Sequence, residues 1–263
     1  MNKKIIQEGI LKIKESNQWK QYIDYFSLYV SRYSIQNSIL LFSQFPEATY
    51  TAGRKQWLDK GRIVLEDAKP IILIAPEFEW YDVEINGEKK RGKRVIGYKE
   101  IEVFDISQTQ LLDPVTVGIG VDLSETKFFK ERIEVILGLL TSHFDITECE
   151  MKKDPDLDAF VCYTDNKIFV NKELPTAIKV KAILHEIGHI YLHKDVILER
   201  ALREVEAETF AYIVLKHLGL DTTSISAEYI VRWSQTIEME RLVLRLSEME
   251  NAVKKLLKKI ERL

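Results

Sequence analysis

The 263-residue chain is 46% hydrophobic and 30% charged, with a formal net charge of −3. That balance excludes fibrous and disordered classes and gives length enough for two compact domains, each with its own core. Cys149 and Cys162 offer no disulfide framework, Gln7 and Glu8 interrupt the opening apolar stretch where a signal peptide would run on, and no apolar run spans a bilayer, so a reducing cytoplasm and no membrane partner are expected.

To about Phe45 the pattern predicts two helices, with Trp19, Ile23, Phe26, Val30 and Tyr33 recurring at helical spacing. Ile71 to Ala75, bounded by Pro70 and Pro76, reads as a short apolar strand. Trp80 to Ile85 and Val95 to Phe104 then form a long hairpin, turning at Asn86-Gly87 with a basic tip, Lys89-Lys90-Arg91-Gly92-Lys93-Arg94. Leu111 to Ser124 is a connector, followed by a helix over Phe128 to Leu140, strands over Ala159 to Tyr163 and Ile168 to Val170, and a helix over Lys179 to His193. In the tail Met239, Leu242, Leu246, Met249, Val253, Leu256, Ile260 and Leu263 alternate at steps of three and four, a seam that fits either a coiled-coil homodimer or a long helix lying along its own domain. Lys254-Lys255 and Lys258-Lys259 are its solvated faces.

Chemistry is concentrated in His185-Glu186-Ile187-Gly188-His189. At helical pitch residues four apart share a face, so His185 and His189 can both present an imidazole nitrogen to one tetrahedral zinc ion. Glu186 beside them suits a general base that takes a proton from water attacking a carbonyl. The run from Val180 to Leu192 is apolar, where an unpaired glutamate would be costly unless something used it, and three of the five histidines fall between 185 and 193.

A third ligand is available on the next helix. Glu204 and Glu208 share one face while Glu206 points away, so Glu204 is assigned as ligand and Glu208 as the acceptor that fixes a ligating histidine's tautomer. Phe210, Ala211, Ile213, Val214 and Leu215 argue against a merely solvated acidic face. His193 lies a turn too far for the same ion and reads as structural or supporting.

These residues carry a resemblance. The HEIGH motif followed by Glu204, Ala207, Phe210 and Ala211 resembles the ImmA/IrrE metallopeptidases of the gluzincin group, which implies a zinc endopeptidase acting on a protein substrate. Lys167 to Asn171 would serve as the edge strand beside the cleft, to which a peptide adds by backbone hydrogen bonds. Over residues 5 to 112 a second resemblance appears. Tyr33-Ser34-Ile35-Gln36-Asn37, Gln44 to Thr49, Trp57 to Arg62, Ile74-Ala75-Pro76 and Val103 to Thr109 follow the order of the ArdC antirestriction family, whose members join a single-stranded DNA-binding domain to a C-terminal metallopeptidase-like domain.

The resemblance therefore implies an α+β protein with a DNA-binding domain at 1–112 and a mainly helical zincin-like domain with a small sheet at 113–235, to which the tail's own periodicity adds the heptad-patterned helix at 236–263. It implies a metallopeptidase of a mobile element with single-stranded DNA and a repressor or restriction component as partners, or else a non-proteolytic DNA-binding protein with a structural or vestigial zinc site. Arg54, Lys55, Trp57, Lys60 and Arg62, with Lys90, Arg91, Lys93 and Arg94, are the candidate DNA contacts, since single strands need cations for phosphates and aromatic faces for bases. Residues 1–112 hold 17 Lys and Arg against 15 Asp and Glu, so any footprint is local, and a core tryptophan beside a solvated basic hairpin is the competing reading. Tyr212 and Tyr229 are candidates for oxyanion stabilisation by position.

Overall fold

The computed structural model describes residues 2–15, 18–85, 88–112, 125–151, 154, 157–220 and 237–260. The predicted turn at Asn86-Gly87, most of the connector, Tyr229 and Leu263 lie outside them. In chain order the elements are α1 (Asn2–Glu15), α2 (Trp19–Tyr29), α3 (Ile35–Gln44), β1 (Thr51–Ala52), α4 (Arg54–Asp59), β2 (Arg62–Val64), β3 (Ile71–Ile85), β4 (Glu88–Asp105), a 3-10 turn (Ile106–Gln108) and β5 (Thr109–Leu111). The second half adds α5 (Glu125–His143), β6 (Ile146–Cys149), β7 (Ala159–Cys162), β8 (Lys167–Asn171), α6 (Thr176–His193), α7 (Arg200–His217) and α8 (Met239–Ile260). The fold is α+β, with small sheets among helices. Its two compact units are Met1–Ser16 with Gln36–Ile119, and Asn17–Ile35 with Gly120–Leu263. The opening region thus holds three helices where two were expected, and α2 belongs to the second unit; neither break carries a Gly or Pro to announce it.

In the first unit the antiparallel order is β1-β4-β3, with β2 paired to β5. β3 continues through Pro76 into one long strand, because β3 is an edge strand, where a missing N–H is tolerated. The open edge is closed by side chains. Asn37 Nδ2 donates to the Ile74 carbonyl and its Oδ1 accepts the Ile74 N–H, both at 2.9 Å. Gln44 does the same for Ile72, at 2.9 and 3.0 Å. Asp105 gathers the far end: its carboxylate accepts the N–H groups of Thr49, Tyr50 and Ser107 at 2.7, 2.9 and 2.9 Å. Burial would raise the Asp105 pKa, but these hydrogen bonds hold it below the ordinary value.

In the second unit the sheet order is β6-β8-β7, with β8 parallel to β6 and antiparallel to β7. α6 packs on α7, and α8 packs on α5, α6 and α7. The tail seam is spent there: Leu242, Leu246, Met249, Val253, Leu256 and Ile260 are all buried. A homodimer through that seam is therefore set aside, since a helix cannot offer one apolar stripe to two partners. No helix of the described residues is long and apolar enough to cross a membrane.

Candidate metal centre and candidate nucleic-acid interface

α6 starts after Pro175, whose fixed φ suits a helix entry, and buries Val180, Ile183, Leu184 and Ile187. Its approach to α7 is set by one residue. A Cβ on Gly188 would lie 3.1 Å from Phe210 Cδ1 and 3.2 Å from Ala207 Cα, so the helices touch backbone to backbone where the sequence has Gly opposite Ala. Glu204, about one turn before Ala207, and Glu208, the residue next to it, are thereby brought to the histidines of α6.

The three assigned donors converge. His185 Nε2 lies 3.1 Å from His189 Nε2 and 3.4 Å from Glu204 Oε2, and His189 Nε2 lies 3.6 Å from the same carboxylate oxygen. A tetrahedral ion with ligand bonds of about 2.1 Å separates its donors by about 3.4 Å, so the set fits a metal ion. Two imidazoles and one carboxylate suit a divalent first-row metal. The Glu204 side chain is 50% exposed, which keeps one side of the cluster open.

Outer partners orient the donors. Glu208 lies 3.1 Å from His185 Nδ1 and 3.0 Å from Lys181 Nζ. His189 Nδ1 meets His193 Nδ1 at 3.0 Å, and His193 Nε2 meets Glu206 at 3.0 Å. Glu206 is turned away from the donors and forms a two-pronged pair with Arg245 of α8, one prong at 2.7 Å.

Burial lowers the His185 pKa, but hydrogen bonds to Glu204 and Glu208 carry it up to about 9. Burial and the His185 charge bring His189 down to about 4. Glu204, bonded to His185, falls to about 2 in spite of its burial. The carboxylates thus favour a positive charge on His185, while burial and that charge disfavour one on His189. Glu186 is 8% exposed; burial and the Glu204 charge raise it, against the His185 charge and a hydrogen bond from the Val161 N–H.

That last bond identifies the open strand. β8, expected as the edge, is paired on both sides; Ile168 turns its N–H to Asp145 in the direction of β6. Opposite it on β7, Val161 turns its N–H outward, away from β8 and onto Glu186. Tyr212 is buried and bonds Asp24, so it is no oxyanion donor. Tyr163, directly after β7, is raised by burial and by the charges of Glu186 and Glu204, against that of Arg203.

In the first unit Trp57 is 1% exposed and donates its indole N–H to the Phe104 carbonyl at 2.8 Å, packed with Ala52 and Phe104. It is a core residue and cannot stack on bases. Arg62 is likewise committed, bonding Thr109 Oγ1 at 2.7 Å and its carbonyl at 3.2 Å. Arg54, Lys55 and Lys60 are exposed, Arg54 over the Phe104 ring and Lys60 over Tyr50. Lys90, Arg91, Lys93 and Arg94 are exposed along β4.

An exposed aromatic surface that sequence reasoning missed lies on that ribbon. Phe78, Trp80 and Tyr81 are 41%, 55% and 43% exposed. Register pairs Trp80 with Lys93 and Asp82 with Arg91, so Phe78, Trp80, Arg91 and Lys93 share one face. Lys93 Nζ lies 3.5 Å from the Phe78 centroid and 5.5 Å from that of Trp80, with Arg91 5.4 Å from Trp80. On the other face the Tyr81 ring covers Gly92, where a Cβ would come within 2.6 Å of it. Aromatic residues alternating with basic partners across a hairpin were the signal available.

Residues 141–219 match the Peptidase_M78 family, described as the IrrE N-terminal-like domain. A Bacillus anthracis protein described as uncharacterized is 27% identical over 85% of this chain; the chain spans about half of that relative, 45% of its length. Two crystal structures of the antirestriction ArdC protein from plasmid R388 are also similar. The metal-free one is 19% identical with a TM-score of 0.51, covering 88% of this chain and 86% of its own. The Mn(II)-bound one is 16% identical with a TM-score of 0.59, covering 98% of each. The chain is ArdC-like in fold, and residues 141–219 of its second half are similar to the IrrE N-terminal-like domain.

Proposed function

We propose that this protein is a zinc-dependent peptidase joined to a single-stranded DNA-binding unit and acts in antirestriction or in the regulation of a mobile element. The observation that carries the hydrolytic half is the convergence of His185, His189 and Glu204 within 3.1 to 3.6 Å beside a buried Glu186. His185, His189 and Glu204 would hold the ion, and the Mn(II)-bound state of the similar ArdC structure supports a metal in this fold. When bound, such an ion polarises a carbonyl and lowers the pKa of water. Glu186, with its affinity for protons raised by burial, takes the proton of the attacking water and delivers it to the leaving amine. A substrate peptide lies along the outer edge of β7, the edge strand beside Glu186, and Tyr163, whose phenol feels the charges of Glu186 and Glu204, is the candidate donor to the developing oxyanion. The substrate is a protein, met in the cytoplasm. Elemental analysis and an assay on candidate restriction and repressor proteins test this: wild type should carry about one zinc per chain, Glu204→Ala should lose it, and Glu186→Gln should keep metal and stop cleavage. Retained cleavage by metal-replete Glu186→Gln would refute the assignment.

The ribbon favours a second reading, in which DNA binding alone protects and the metal is structural. Phe78 and Trp80 stack on bases while Arg91 and Lys93 meet phosphates, a combination that single strands of any sequence can use. Single-strand binding unchanged by chelation, with no cleavage of any partner, would favour that reading.

A further inference from the structure

We infer that His193, Glu206 and Arg245 form a positioning relay through which the C-terminal helix fixes the tautomer of His189, and so tunes metal affinity without supplying a ligand. The inference rests on the metal-centre reading above. Its argument is a proton count. His189 turns Nε2 to the other donors, at 3.1 Å from His185 Nε2, so a ligating His189 carries its hydrogen on Nδ1. That atom lies 3.0 Å from His193 Nδ1, a separation at which one nitrogen must donate and the other accept. If His189 donates, the hydrogen of neutral His193 is on Nε2, which lies 3.0 Å from the Glu206 carboxylate. Glu206 can only accept, being the partner of Arg245. Every ring nitrogen of His189 and His193 is then used, and Glu206 accepts from both sides. In the opposite arrangement His193 would set a bare lone pair against a carboxylate, and His189 Nδ1 would be the acceptor.

Burial makes the count binding. His193 and Glu206 side chains are fully buried and that of Arg245 is 6% exposed, so no solvent is at hand to repair a wrong tautomer. A buried ion pair is a weak device for stability, since apolar residues of similar volume do as well or better. Orientation of a histidine is what this one supplies that apolar residues would not.

The test uses the full chain in metal-free and Mn(II)- or zinc-titrated forms. Metal affinity is measured by competition titration, and the His189 tautomer by 15N NMR of histidine-labelled, metal-free protein. Variants are His193→Leu, His193→Asn, whose amide oxygen can still accept from Nδ1, and the paired Glu206→Leu with Arg245→Met, which leaves no lone buried charge. The relay predicts an Nδ1–H His189 in wild type, a metal affinity about 10- to 100-fold lower in His193→Leu, substantial recovery in His193→Asn, and loss of tautomer preference in a folded double variant. Unchanged affinity and tautomer in the folded variants would overturn it, as would an Nε2–H His189 in wild type. Wild type that binds neither metal would instead overturn the metal-centre reading, while the tautomer measurement would still decide the relay.

Discussion

Gly188 and Ala207 meet across the α6–α7 interface with no room for a side chain between them: a Cβ on Gly188 would lie 3.2 Å from Ala207 Cα and 3.3 Å from its carbonyl oxygen. Gly188→Ala should push α7 away from α6. Overpacking costs about 1–3 kcal/mol, offset in part by about 1 kcal/mol of helix propensity, so the net loss of stability should be small. Metal affinity should fall further than stability does, because Glu204 moves with α7. Thermal unfolding and metal titration on one preparation check this; lost stability at unchanged affinity would count against it.

Metal at about 100 times its dissociation constant should stabilise the folded protein by about 2.7 kcal/mol, and a chelator should remove that gain. Glu204→Ala should show neither effect. Denaturant melts with and without metal read the difference directly.

Trp80→Ala should weaken binding of a thymidine oligonucleotide by about 1–3 kcal/mol, since Trp80 is exposed among cations. Lys93→Ala should lower the slope of log affinity against log salt by about 1. Trp57→Ala should act differently, removing about 3–5 kcal/mol of stability because Trp57 fills the core. Fluorescence anisotropy at several salt concentrations, with melts alongside, separates the two tryptophans.

Asp105→Asn should destabilise the first unit by about 1–3 kcal/mol at neutral pH, through weaker acceptance of three backbone N–H groups. The pH dependence follows from the direction of its shift. A carboxyl held below its ordinary value of 3.8 contributes stability that is fully present above that value and is lost as pH falls through the lower, folded pKa. Wild type and Asp105→Asn should therefore converge in urea midpoint as the medium is acidified below about pH 4. A constant difference down to pH 2 would show that the charge is not what Asp105 contributes.

The centre was legible in the sequence because two regularities coincided, a four-residue histidine spacing and an apolar helical period around it. Glu204 and Glu208 followed from the same geometry on α7. Arg245 was not legible, because its partner Glu206 is 39 residues away and pairing across that distance leaves no local period. Val161 acts through its backbone, which sequence does not mark, and β8 reads as an edge only until its two neighbours are known. Trp57 misled for a simpler reason: a tryptophan ringed by Arg54, Lys55, Lys60 and Arg62 has the same local composition whether its ring is packed inward or offered to a base.

The amide clamps of Asn37 and Gln44 on β3 bear on a different hazard. A fifteen-residue strand at a sheet border is a template on which another chain can dock, and such docking begins with unpaired N–H and carbonyl groups in a row. Along Ile72 and Ile74 those groups are already taken by side chains of α3, and Pro76 next in line has no N–H to offer. Farther out, Glu79 and Arg94 hold charge on the ribbon instead. Two residues that look like recognition motifs thus leave this border from Ile72 to Pro76 with little to offer an incoming strand.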